Sequence, residues 1–331
     1  MTLDISYAGY PYEWTAALWD GRVEPAGTSL STVNYPNPER FTRMVRHDEF
    51  DVCEMSMGTY LASRAADEQF QFTAIPVFPY RKFRHSYMYA RPGIETVADL
   101  QGGTVGIVNW QTTTGIWQRG ILADRHGLDL ASIDWYASGS EIVPLGDLEY
   151  SIEYLEVGSF DLEERTSIDV LESLLREGKI DAIFHPVPAI TDSPDVKRLF
   201  DDPIDVETTY YRETSIFPIM HTVVVDDGLI AEHPWIVQSL YDAFEAAKER
   251  GLQRLERPRW MPLLWSQLHT ERQERLLGED PWEYGLTQDN ETALRTLIRY
   301  AAEQGIIDER VPVASIFETE TLDPGWFGAD S

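Results

Sequence analysis

"TVADLQGGTVGIVNWQTTTGIWQRGILADRHG", residues 96–127, is the stretch that decides the architecture. It opens with a short helical segment and turns at Gly102-Gly103. An apolar strand follows, running to Val108. A second helix then starts in the threonine run Thr112–Thr114 and stops at Gly127, a favoured C-terminal residue. A buried strand feeding directly into a helix is the repeating unit of a parallel sheet with helices on its faces. The same alternation holds upstream. Strands are predicted at Leu3–Ala8, Ser29–Asn34, Phe50–Met55 and Phe72–Val77. "YEWTAALWDG" (12–21) and "NPERFTRMVRHD" (37–48) between them carry helical spacing, with Asn37 as cap and Pro38 in the first turn. Downstream, Ile133–Ala137 is a strand, an acidic irregular stretch runs to about Thr166, and "SIDVLESLLREGKIDAIF" reads as helix, glycine stop, strand. "HSYMYAR" (85–91) and "SIFPIMHTVVV" (215–225) are extended crossing segments, and the remainder is mainly helical. The expectation is an α/β chain of two lobes, 1–90 plus 216–331 and 91–215, hinged around a cleft. Ligands of such sheets sit outside the carboxyl ends of the strands, which points to the turns after Met55, Val77, Val108 and Phe184.

Composition narrows the partners. With 43% apolar and 12% aromatic residues the chain is globular, and no run approaches the ~18 apolar residues of a membrane helix. Acidic residues number 56 against 27 basic ones, a net −29, and only Lys82, Lys179, Lys197 and Lys248 are lysines. Such a field repels nucleic acid and anionic membranes. Carboxylates dispersed along the chain with little lysine suit molar salt, where the Debye length falls to ~3 Å, so a halophilic source is expected. "MTLDISYAGY" lacks the basic flank, apolar core and cleavage site of a leader, so a cytoplasmic location is expected. Self-association is left open. The single Cys53, in the apolar strand "FDVCEM", excludes an internal disulfide and reads as a buried structural thiol.

Six strings taken together resemble one family. "HDEFDVCEMSMGTYL" (47–61), "IPVFPYRKFRHSYMYAR" (75–91), "GIVNWQTTTGIWQRGIL" (106–122), "IFPIMHTVV" (216–224), "HPWIVQSLYDAFEAAKE" (233–249) and "DPWEYGL" (280–286) are similar to the 4,5-dihydroxyphthalate decarboxylases, in that family's order and across nearly the whole chain. The resemblance implies the type II periplasmic-binding-protein-like fold. It also implies non-oxidative loss of one carboxylate from a hydroxylated aromatic acid. Trp14, and the run "HPVPAI" that starts at His185, stand where the family often carries an arginine. A non-catalytic protein that captures a small aromatic or heterocyclic acid is the alternative, since fold does not fix function.

Removing an aryl carboxylate requires that the anion be held, that the carbon receive a proton, and that ring charge be stabilised. "RKFRHS" concentrates Arg81, Lys82, Arg84 and His85; arginine grips carboxylates in pairs of charge-assisted bonds. In extended chain Arg84 and His85 would face opposite ways. "NWQTTTGIW" supplies Asn109, Gln111, Thr112, Thr113 and Thr114 at a helix start, a ready anion site, or else an ordinary cap; the resemblance adds Trp117. His221 could be proton donor to carbon or base at a phenol, or a core histidine. His185 stands just past a strand end. Ser56 and Glu54 end another strand, where Glu54 either protonates the ring from an apolar, pKa-raising setting or pairs with an arginine. His221, His85 and Glu54 are thus the catalytic candidates, and the rest bind substrate. No organic cofactor is expected, no metal-ligand spacing is present, and a divalent metal held from distant loops is left open.

Overall fold

The computed structural model describes residues 2–319 and 322, apart from 67–69, 156–165, 189–193, 255, 256, 258 and 260. In chain order the first lobe contributes β1 (Leu3–Ala8), α1 (Ala16–Trp19), β2 (Thr28–Val33), α2 (Glu39–His47), β3 (Val52–Ser56), α3 (Met57–Ala65) and β4 (Phe72–Ile75). The chain then crosses and builds β5 (Met88–Ala90), β6 (Thr104–Ile107), α4 (Thr113–His126), β7 (Asp134–Ala137), β8 (Ile152–Tyr154), α5 (Thr166–Arg176), β9 (Ala182–Phe184), β10 (Lys197–Arg198) and α6 (Pro203–Thr214). It returns as β11 (His221–Asp226), followed by α7 (Asp227–Glu232), α8 (Trp235–Leu252), α9 (Ser266–Leu277) and α10 (Gln288–Glu303).

Two sheets result, with strand orders β2-β1-β3-β11-β4 and β10-β5-β9-β6-β7-β8. The expected parallel core is present in each: β1 runs parallel to β2 and β3, and β6 to β7 and β9. β11 enters the first sheet antiparallel, pairing His221 with Ser56. β3 and β11 are interior strands and so read as nearly unbroken apolar runs; every residue of "VCEMS" is buried. Met88–Ala90, which the sequence pattern placed in the first lobe, hydrogen-bonds into the second sheet against β9. Its apolar run serves either sheet equally well, and only the pairing partner distinguishes them. Part of the irregular stretch before Thr166 lies outside the described residues.

Local rules account for most element ends. α4 stops at Gly127, left-handed at φ 69°. α2 buries Arg40, Phe41, Met44 and Val45 as one face. Its start differs from expectation: the Asn37-Pro38 bond is cis, Pro38 is the cap residue, and the Asn37 side chain makes no capping bond. The first crossing lies earlier than expected: residues 80–82 run against 218–220, whereas His85–Tyr87 is a 3-10 turn and Met88–Ala90 already belongs to β5. The Arg81–Ile219 bridge is antiparallel, Lys82 N–H donates to Pro218, and Met220 N–H donates to the Tyr80 carbonyl. None of the described helices is long and apolar enough to span a membrane.

Candidate active site

A cavity of about 330 Å³ opens between the sheets where β3 and β6 end and β11 begins. Tyr10, Tyr12, Phe41, Ser56 and Tyr80 line it from the first lobe; Asn109, Thr112, Thr113, Thr114 and Val187 line it from the second. Arg84, Met220 and His221 come from the crossing segments. The expected turns after Met55, Val108 and Phe184 therefore do converge on one space.

A charge relay stands at its base. Glu54 is fully buried and accepts from His221 Nδ1 (2.5 Å), Tyr12 hydroxyl (2.8 Å) and Tyr10 N–H (3.0 Å). Arg40, also fully buried, lies 3.2 Å from the other carboxylate oxygen and donates to the Gly9 and Tyr35 carbonyls. Burial pushes the Glu54 pKa up, but Arg40, His221 and Tyr12 outweigh it and hold the carboxyl well below its usual range. Glu54 is thus the arginine-paired carboxylate and not a proton-carrying ring acid, which corrects one of its two expected roles. For His221, burial lowers the pKa, Glu54 raises it, and Arg40 and Arg84 lower it again; the net direction is down. The resting pair is a carboxylate facing a neutral imidazole whose Nδ1–H donates to Glu54. Nε2 is left as the ring nitrogen available to the cavity, between Phe41 (5.3 Å) and Tyr80 (5.0 Å).

Beside His221 the cavity is built for an anion. The starts of α3 and α4 meet there: the Ser56 and Thr113 hydroxyls are 2.7 Å apart, and Gly58 N–H donates to the Thr113 hydroxyl at 2.8 Å. A Cβ on Gly58 would stand 2.0 Å from the Gln111 carbonyl oxygen, so only glycine lets the two helix starts approach this closely. First-turn amides have no carbonyl within their own helix; in α3 those of Met57 and Gly58 are taken by the Met220 carbonyl and the Thr113 hydroxyl, so the start of α4 offers the freer donors to the cavity. Among the described residues Arg84 is the sole arginine or lysine in the lining. Its Nε–H donates to Met220 Sδ and one Nη to the Pro186 carbonyl, and its guanidinium lies near the Tyr80 and Tyr87 rings. Asn109 Oδ1 accepts from the Thr112 hydroxyl, and Asn109 Nδ2 donates to Ser140, which stiffens the turn before α4.

His221, Arg84, Ser56, Asn109, Thr112, Thr113 and Thr114 therefore share the cavity, with Glu54 directly behind His221. Five expected members lie elsewhere. Arg81 donates to Glu283 and Asn290 and ties the crossing segment to the C-terminal helices. His85 opens a 3-10 turn, not the expected extended segment, and packs on Phe200 and Tyr210 outside the cavity. Gln111 is consumed by Glu141 and Val143. Trp117 donates to Ile219 from within the core. His185 is buried against Tyr89, outside the lining. The histidines do not gather, and among the described residues no group of three or more His, Cys, Asp or Glu could hold a metal ion. Cys53 is buried, and burial pushes its thiol up to about 12.

Sequence reading missed Arg40, Phe41 and Tyr80. Arg40 did carry a signal: it shares the helical face of Phe41, Met44 and Val45, where an arginine has to be paired. Tyr12 stacks between Trp14 (5.1 Å) and Tyr80 (5.7 Å), which fixes its hydroxyl on Glu54.

Comparison with known proteins adds to this geometry. Over 336 aligned residues, 97% of this chain and 98% of the other, the chain is 33% identical to a 4,5-dihydroxyphthalate decarboxylase of Comamonas testosteroni. The chain belongs to the 4,5-dihydroxyphthalate decarboxylase family. An enzyme of the same name from Pseudomonas putida is also 33% identical, over 64% of this chain and 83% of its own. No family model matches. Among solved structures, the aliphatic sulphonate binding protein SsuA of Escherichia coli superposes with a TM-score of 0.55 at 14% identity, covering 96% of this chain and 97% of its own. The desulfurization enzyme DSZB, in complex with biphenyl-2-sulfinic acid, gives 0.56 at 16% identity, covering 97% and 98%. This member of the decarboxylase family thus has the two-lobed type II periplasmic-binding-protein-like fold.

Proposed function

We propose that this chain is a non-oxidative carboxy-lyase that removes one carboxylate from 4,5-dihydroxyphthalate or a close hydroxylated aromatic acid. One observation carries the reading. His221 stands between a buried carboxylate and the cavity, immediately beside the Arg84 and helix-start anion site. Arg84 and the starts of α3 and α4 hold the adjacent carboxylates, while Tyr10, Phe41 and Tyr80 flank the ring. The imidazole then lies at the carboxylate end of the substrate, where the carbon that loses carbon dioxide needs its proton. Arg84 helps keep the resting imidazole neutral. A bound dianion offsets that charge and adds its own, so substrate binding loads His221 with a proton through the same contacts that hold the substrate. Electron release from the para hydroxyl favours transfer of this proton from Nε2 to the ring carbon. The C–COO⁻ bond then breaks, its electrons restore the aromatic ring, and carbon dioxide leaves. The imidazole regains a proton from solvent. The substrate is symmetric, so loss of either carboxylate gives protocatechuate.

The charge composition supports a salt-rich cytoplasm as the working environment, and the assay belongs in concentrated salt. Carbon dioxide release from 4,5-dihydroxyphthalate is expected from the natural protein and not from His221→Asn, which still binds the substrate. No release, with the compound nonetheless raising the melting temperature, would make the protein a binder of aromatic acids instead.

A further inference from the structure

We infer that the N-terminal end of α9 is the face through which this chain pairs with a second copy of itself. Leu263, Leu264, Trp265 and Leu268 are 52%, 89%, 64% and 59% exposed there, a concentration of bare apolar side chains on one turn and a half of chain. Contiguous apolar surface of this kind marks a contact site. The charge pattern says what covers it. The protein carries 56 acidic residues in 331, yet none falls between Glu256 and Glu271, and this interval holds Arg257 and Arg259. Two bodies of net charge −29 repel each other across most of their surfaces. They approach at least cost where carboxylates are sparse, and this apolar turn contributes none of its own.

The neighbouring surface completes the complementarity. Between α6 and α9 runs a groove of about 540 Å³ that brings together Arg212, Arg272 and Arg275. None of the three has a carboxylate within ion-pair distance among the described residues, despite the excess of acids. A partner rich in surface carboxylates and bearing the same apolar turn satisfies both features, and a second copy of this chain is such a partner. Trp265 and Leu264 form the dry centre, and the arginine groove forms the rim that takes the partner's acids. Tryptophan and arginine are the residue types that dominate association energy in such contacts.

Sedimentation equilibrium of the full chain at micromolar concentration, in molar sodium chloride, tests this. The natural protein is expected at about twice its 37.9 kDa chain mass, and Leu264→Glu/Trp265→Glu at the single-chain mass with an unchanged circular-dichroism spectrum. Leu268→Arg is a second, independent disruption of the same face. A monomeric natural protein overturns the inference, including one whose apolar turn adheres to phosphatidylcholine vesicles instead. So does a dimer indifferent to both variants.

Discussion

Glu54→Gln is the sharpest test of the relay. The substitution keeps the shape of the side chain and removes its charge, 2.5 Å from His221 and 3.2 Å from Arg40. With about 4 Å between charge centres and an effective dielectric of ~20, the lost attraction for an imidazolium is about 4 kcal/mol, or roughly three pKa units. Two of the influences on His221 that favour its proton disappear, while burial, Arg40 and Arg84 all continue to oppose it. The sign follows. If the protonated imidazole is the ring acid, kcat of the variant falls by about 10²–10³ at neutral pH and recovers as pH is lowered. The alkaline limb of its pH profile moves to lower pH. Substrate affinity changes less, because Arg84 and the helix starts are untouched. Removing one partner also leaves Arg40 buried and unmatched, which costs about 3–5 kcal/mol of stability and is read separately by thermal unfolding. The decisive assay is carbon dioxide release across pH 5–9. A kcat that keeps its natural value, or an alkaline limb that stays in place while the rate drops, would refute the relay.

Arg84→Gln is expected to weaken substrate binding by about 1.5–3 kcal/mol, roughly 10- to 150-fold in Kd, with smaller loss for mono-carboxylates than for the diacid; calorimetric titration measures both. Gly58→Ala forces a methyl group against the Gln111 carbonyl at 2.0 Å, so thermal unfolding should show a loss of about 1–3 kcal/mol, accompanied by weaker anion binding as the two helix starts separate. Burial drives the His85 imidazole down to about 4 from 6.5. Stability from keeping it neutral is therefore complete above about pH 6.5 and is lost as pH falls toward 4, by about 2 kcal/mol at pH 5. Replacing His85 with Phe should flatten that part of the stability–pH curve without altering turnover.

Strand positions were legible because interior strands of an α/β sheet are buried along their whole length and so largely apolar, as in "VCEMS" and "HTVVV" apart from their few polar residues. The location of the site followed from the rule that such sheets bind at strand ends, and Ser56, Asn109, Thr112, Thr113 and Thr114 were found that way. Direction was not legible. Gln111 and Thr113 are two residues apart in one polar run, yet one side chain points into the Glu141 turn and the other into the cavity. Trp117 lies a full turn further on, where α4 has already left the cleft for the core. Arg81 and Arg84 illustrate the same limit: both are cations of one crossing segment, and only the position of Asn290 shows which is structural. Arg40 was missed because attention to cations fell on their density in "RKFRHS". A lone arginine on an apolar helix face says more about burial and pairing than a cluster does.

The way the two sheets share the chemistry has a mechanical consequence. Glu54, Ser56 and His221 belong to paired strands of one sheet, whereas Thr113 rides on a helix of the other and meets them at the Ser56 hydroxyl and the Gly58 N–H. Rotation about the paired crossing segments would leave the proton relay whole and pull the anion cradle into two halves. A molecule opened in that way would keep its acid and lose its grip, and a ligand with two adjacent negative groups would act as the bolt between the halves. Ligands with a single anionic group span the gap less completely, so selectivity for a diacid is exerted through the geometry of closure as well as through the contacts made afterwards.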